Sequence, residues 1–208
     1  MTAKLITLEG IEGAGKSTQL PIIAQLLQQH GIQVLTTREP GGTKLGEKIR
    51  ALLLSNDITQ MANETELLLL FAARAEHLAK VVKPALEKGI WVICDRFIDA
   101  TYAYQGGGRG IEEQKITQLT DWTLNDLSPD LTLLFDLPVE KGMERMKKRA
   151  PDRDRFEQEQ HVFFEHIRQA YLTIAHRDPN RVKIIDAQQT ENAITEQVHL
   201  ILANNGYL

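Results

Sequence analysis

The chain has 208 residues, 42% of them hydrophobic and 25% charged, with a formal net charge of −4. That is enough chain for one α/β domain with a real core, and the acidic balance argues against a broad nucleic-acid surface. Cys94 is the only cysteine, which excludes an internal disulfide and fits a reducing cytoplasm.

The N-terminal residues Met1-Thr2-Ala3-Lys4 lead straight into a strand, so no signal peptide is expected. That strand covers about Lys4 to Glu9. After it, Gly10 is followed by four residues and then Gly15-Lys16-Ser17, the pattern G-x-x-x-x-G-K-[ST]. Its glycines let successive N–H groups turn inward as an anion cradle. The helix that follows adds its unpaired N–H groups and its positive dipole end. Lys16 can reach the β- and γ-phosphates of a nucleoside triphosphate, and Ser17 can offer its hydroxyl to Mg²⁺.

The helix runs from Lys16 to about His30, with Gly31 as its stop and a bend expected at Pro21. Gln33 to Thr37 reads as a short strand. Arg38-Glu39-Pro40-Gly41-Gly42-Thr43 is a proline turn followed by two permissive glycines. Leu45 to Leu54 has helical spacing. Glu64 to about Val82 is a longer helix, which Pro84 interrupts or kinks. It holds the longest apolar run, Leu67 to Ala73, far short of the roughly 20 residues of a membrane span. Ile90 to Cys94 is a continuous apolar run ending in Asp95, as a central parallel strand would be. Asp99 to Gln105 is a short helical candidate and Gly106 to Gly110 a flexible loop. Helix Glu112–Asn125, strand Leu131–Asp136, helix Val139–Arg149, helix Glu157–Ala175, strand Val182–Asp186 and helix Glu191–Leu202 complete the chain.

This alternation predicts an α/β fold of the three-layer P-loop NTPase class. It has about five parallel strands, helices on both faces and a short lid. Ligands bind beyond the carboxyl ends of such strands. Asp95 stands there, where a carboxylate near Mg²⁺ is usual beside a P-loop. Arg38 and Arg96 would face the triphosphate and suggest a second anion. Phe71 and Arg74 lie three apart on one helix. Phe71 could stack on a base, but it belongs to an apolar run, and spacing alone favours a core residue. Thr101, Tyr104 and Gln105 could form the other pocket wall. The basic stretch Lys147 to Arg155 reads either as a lid carrying arginines over the transferring phosphoryl group or as a solvated helix junction.

Several of these stretches resemble the bacterial thymidylate kinases. They are Leu8 to Thr18, Thr37 to Thr43, Leu70 to His77, Asp95-Arg96-Phe97 and Tyr104 to Gly110. The resemblance runs from Leu5 to about Gln189. It implies one nucleoside-monophosphate-kinase-like domain over residues 1–208, with a lid at about 147–156. It implies transfer of phosphate from ATP with Mg²⁺ to dTMP, giving dTDP, in a cytoplasmic homodimer with no nucleic-acid or membrane partner.

The resemblance also implies roles. Gly10, Ile11, Glu12, Gly13, Ala14, Gly15, Lys16, Ser17 and Thr18 would hold ATP, with Gln188 near adenine. Ser17 and Asp95 would hold the metal. Phe71 would stack on thymine and Arg74 bond its carbonyl oxygen. Arg38 and Arg96 would hold the monophosphate, Thr101 the base edge, and Tyr104 would crowd the sugar 2′ position. Gln105 joins this acceptor set. Glu12 would reach the 3′-hydroxyl. Because the P-loop carries this acid and no arginine, the lid would supply the basic group, Arg149 or Arg153, to act with Lys16 and Arg96. The nearest rival is a related P-loop kinase acting on another nucleotide or on a nucleoside. A switch-type GTP-binding protein would need an Asn-Lys-x-Asp motif, which the chain lacks.

Overall fold

The computed structural model describes residues 2–58, 60–149 and 154–208, with the backbone alone for Arg149. Its sheet has five strands: β1 (Leu5–Glu9), β2 (Val34–Arg38), β3 (Trp91–Asp95), β4 (Leu131–Asp136) and β5 (Val182–Asp186). They are all parallel, in the order β2-β3-β1-β4-β5. β1 is buried along its whole length, and β3 and β4 at every residue but the terminal aspartate. Such strands read as apolar runs because both faces are covered.

The covering helices are α1 (Lys16–Gln29), α2 (Lys44–Leu54), α3 (Asn63–His77), α4 (Lys83–Glu87), α5 (Ile98–Thr101), α6 (Glu113–Leu124), α7 (Val139–Arg149), α8 (His161–Arg177) and α9 (Glu191–Asn204). Alternate strand residues point to opposite layers. Ile6, Leu8 and Ile93 pack with Ile23 and Leu27 of α1 and Val198 and Leu202 of α9. Leu5, Val92 and Cys94 pack with Leu67 and Phe71 of α3 and Ile116 and Leu124 of α6.

Three expectations need correction. α3 does not simply break at Pro84. It widens into a π turn over Leu78–Val82 and continues as α4, with the proline in the first turn of α4, where its missing N–H is harmless. The glycine run is no flexible loop either, since Tyr102–Gly108 is π-helical. It is glycine because α8 lies against it. A Cβ at Gly107 would sit 2.7 Å from the Ala170 Cβ. Finally, α8 begins at His161 and not Glu157, because the Asp154 carboxylate accepts the backbone N–H groups of Phe156 and Glu157, each at 2.9 Å, and holds a turn there. Among the described residues no helix is long and apolar enough to cross a membrane.

Candidate active site

Two adjoining cavities open beyond the carboxyl ends of β1, β2 and β3, sharing Glu12, Arg50, Arg96 and Asp154. The first is built on the loop between β1 and α1 and is lined by Glu12 to Thr18. Gly10 turns away from β1 at φ 135°, and a Cβ there would meet the Phe135 carbonyl oxygen at 2.4 Å. Gly15 is the N-cap of α1 and supplies no side-chain cap, so the first N–H groups of the helix face the cavity available to an anion. Lys16 Nζ donates to the carbonyls of Gly10 and Ile11, each at 2.9 Å. Burial, and then the Arg96 charge, lower its pKa to about 8 against the pull of Asp95, Glu12 and Glu9. An arriving triphosphate would favour the charged form.

Asp95 and Ser17 line the same cavity. Asp95 Oδ1 is buried and has no hydrogen-bond partner among the described residues, an orphan that calls for an unseen partner. A carboxylate and a hydroxyl are hard oxygen donors of the kind Mg²⁺ takes, so the residues present fit that ion.

Arg96 stands between the cavities. Its backbone is left-handed, φ 65°, a conformation costly for a side chain other than glycine. Neighbours on both sides hold it. The Arg96 N–H donates to Leu8 O at 2.9 Å, and the Phe97 N–H donates to Glu9 Oε1 at 2.7 Å. The guanidinium bonds Glu12 Oε1 at 2.8 Å and Gly10 O at 3.0 Å, over the Tyr104 ring at 4.9 Å. Tyr104 Oη donates to the other Glu12 oxygen at 2.5 Å. Glu12 therefore ties the phosphate loop to the second cavity.

Beneath Arg96 lies Glu9, fully buried, also accepting from Tyr171 Oη at 2.7 Å. Burial, then the Asp99 charge, raise its pKa to about 7, against Arg96, Tyr171 and the Phe97 N–H. Between its ordinary value of 4.5 and about 7 the folded state holds a proton that the unfolded state has released, so this group's contribution to stability falls as pH rises through that window. Glu9→Gln removes the effect. Thermal unfolding at pH 5 and pH 8 should show the Tm of the variant gaining on wild type at the higher pH. A variant that loses ground to wild type between pH 5 and pH 8 would contradict the assignment.

The second cavity is lined by Leu70, Arg74, Phe97, Ala100, Thr101, Tyr104 and Gln105, with Glu39, Pro40, Leu54 and Phe156. Arg74 is 2% exposed. Its Nε donates to Glu39 Oε2 at 2.7 Å, one Nη to Thr101 Oγ1 and the other to Phe97 O, each at 3.0 Å. Glu39 also meets His77 Nδ1 at 2.9 Å, and His77 Nε2 meets Thr37 Oγ1 at 2.7 Å. This buried chain from β2 to α5 fixes one polar edge in an otherwise apolar wall.

The structure brings Lys16, Ser17, Asp95, Glu12, Arg74, Arg96, Thr101, Tyr104 and Gln105 to the two cavities. Phe71 is not among them. Its ring is 4% exposed, packs into the core beneath α3 and backs Arg74, whose guanidinium lies 5.2 Å from its centroid. Leu70, one residue earlier and about 100° around the helix, takes the cavity position. Arg38 lines neither cavity, its side chain 53% exposed and paired with Glu47 at 2.8 Å. Arg50 lines both cavities instead, and burial, then Arg38, lower its pKa. Gln188 does not line the donor cavity and is bonded to Lys141 at 2.9 Å. Arg145 of α7, which sequence reasoning passed over, lines the donor cavity and reaches Gly13 O at 3.3 Å and Ala187 O at 3.2 Å. Arg153 and the side chain of Arg149 lie outside the described residues.

A phosphate loop on a parallel sheet, with a second cavity sharing one arginine-bearing wall, defines a P-loop phosphotransferase. The model of the family described as thymidylate kinase matches residues 8–198. A thymidylate kinase of Vesicomyosocius okutanii is 54% identical over 199 residues, 96% of this chain and 97% of that one. One of Pseudomonas savastanoi pv. phaseolicola is 57% identical over 189 residues, 91% and 90% of the two chains. The crystal structure of thymidylate kinase from Ehrlichia chaffeensis superposes with a TM-score of 0.79 at 35% identity, covering 97% of this chain and all of that one. The chain belongs to the thymidylate kinase family.

Proposed function

We propose that the protein transfers the γ-phosphoryl group of ATP to dTMP, giving ADP and dTDP, a step toward dTTP. The observation that carries the reading is the wall shared by the two cavities, where Arg96 and Arg50 face both. An acceptor phosphate and a donor triphosphate would meet across it. The Arg74–Thr101 edge, between Leu70 and Phe97, offers donors to a base carbonyl and an apolar surface to its ring.

The acceptor phosphate has a second pKa near ~6 and is largely ionised at neutral pH, so no strong general base is required. The task is to bring two polyanions into line. Lys16 and the α1 N-terminus hold the donor. Arg96 and Arg50 neutralise charge between donor and acceptor. Tyr104, bonded to Glu12, bounds the sugar and leaves little room for a 2′-hydroxyl, and Glu12 faces the 3′-hydroxyl. Gln105 closes the wall behind Tyr104. Ser17 and Asp95 would hold Mg²⁺, which when bound screens the phosphate oxygens. The reading takes residues 1–208 as one domain, with a lid at about 147–156.

We read the enzyme as cytoplasmic, supported by the single buried cysteine. We read it also as a homodimer, supported by exposed Leu68 of α3 (56%) and Trp122 of α6 (79%), which flank one apolar groove.

Acceptor-dependent ADP formation across dTMP, dUMP, dCMP, AMP and thymidine tests the specificity. dTMP should give the highest kcat/KM. One methyl group separates dUMP from it, so dUMP should fall about 10–200-fold below. Highest activity with AMP or thymidine would overturn the reading.

A further inference from the structure

Glu66 of α3 is 1% exposed, and the reaction as described gives it no task. Its Oε1 accepts from Gln105 Nε2 at 2.7 Å and from Arg109 Nε at 3.2 Å. Its Oε2 lies 2.6 Å from Arg155 Nη2, an ion pair by distance without hydrogen-bond alignment. Arg109 is also paired with Glu159, so two acids and two arginines balance. A buried ionic group of this kind is weak evidence for stability, which directs attention to what it positions.

Arg155 lies in the short segment between the end of α7 and the start of α8. Its Nε donates to Leu53 O at 2.9 Å, and its guanidinium lies 4.5 Å from the Phe156 ring centroid. The residues on either side of Arg155 reach both cavities. Asp154 lines the donor and acceptor cavities, Phe156 the acceptor cavity and Glu157 the donor cavity. Glu66 sits one helical turn before Leu70 and about two before Arg74. One rigid helix therefore carries both the acceptor wall and the anchor of a segment that spans donor and acceptor.

We propose that Glu66 is a positioning residue for phosphoryl transfer: through Arg155 it holds the Asp154–Glu157 segment at the junction of the two cavities. This rests on the reading of the cavities as donor and acceptor sites. A misplacement near 1 Å at a reacting junction costs about 10²-fold in rate, and a displaced segment admits water as a competing acceptor.

The test is Glu66→Gln, which keeps the shape and removes the charge. With wild type first shown to convert dTMP, kcat in the variant should fall about 10- to 100-fold. The dTMP Kd by calorimetry should change much less than kcat, and the share of ADP formed without dTDP should rise. Arg155→Met removes the other end and should give the same pattern, which keeps the test open if Glu66→Gln does not fold. The double variant should lose little beyond the worse single, as coupled residues do. An unchanged kcat, a raised dTMP Kd at constant kcat, a lower Tm with unchanged coupling of ADP to dTDP, or additive losses would each overturn the proposal. Wild type inactive on dTMP would instead overturn the underlying reading.

Discussion

Replacing Lys16 with alanine should lower turnover by about 10³-fold, the scale on which removed charge-stabilising groups act in acyl and phosphoryl transfer, while dTMP still binds. Lys16 lines the donor cavity and not the acceptor cavity. Its ammonium is drawn from water and held against the phosphate loop by the Gly10 and Ile11 carbonyls, each at 2.9 Å. Among the described residues its hydrogen bonds go to those two carbonyls and to no side chain of the acceptor wall. Steady-state rates with dTMP and ATP, beside calorimetric titration of dTMP, separate the two effects. Retained turnover, or loss of dTMP binding, would count against the assignment of the cavities.

Arg74→Met should be the second large effect, and it should touch stability and acceptor recognition together. The guanidinium serves Glu39, Thr101 and the Phe97 carbonyl inside a buried chain. Removing it leaves the Glu39 carboxylate, at 4% side-chain exposure, with His77 as its remaining ionic partner, and breaking one partner of a buried pair costs about 3–5 kcal/mol. The dTMP KM should rise strongly with the ATP KM nearly unchanged. Adding Glu39→Gln should return much of the stability, because that buried charge is gone, without returning dTMP recognition. An unchanged Tm in the single variant, or an equal rise in both KM values, would show that Arg74 does not do this.

The two halves of the prediction fared differently for physical reasons. Strand β4, strand β5 and helix α7 begin and end where pattern alone put them; β4 is a buried parallel strand and α7 a strongly amphipathic helix, which leaves those two little freedom in period or length. The phosphate loop was legible because its chemistry is backbone chemistry, fixed by glycine spacing. The acceptor wall was less so. Leu70 and Phe71 are both apolar, and which of them faces the cavity depends on how α3 is rotated against β3 and α6. No local signal fixes that rotation. Arg38 stood out because it ends a strand, and Arg50 was passed over. A long side chain on α2 reaches the same space from the other side, while Arg38 is turned to Glu47. Glu39 and His77 are 38 residues apart, and the Glu66–Arg155 pair spans still more chain. Their meeting is tertiary, so only a structure could join them. The glycines at 106–108 misled in the opposite sense. They suggested mobility, whereas the room they make is filled by α8.

The most direct measurement of the central claim is the fate of a labelled γ-phosphoryl group in one vessel holding ATP, dTMP and thymidine with the wild-type protein. The account predicts label in the β-position of dTDP, matched one for one by ADP, and none in newly made dTMP. Label passing to thymidine, or released as inorganic phosphate regardless of dTMP, would contradict it.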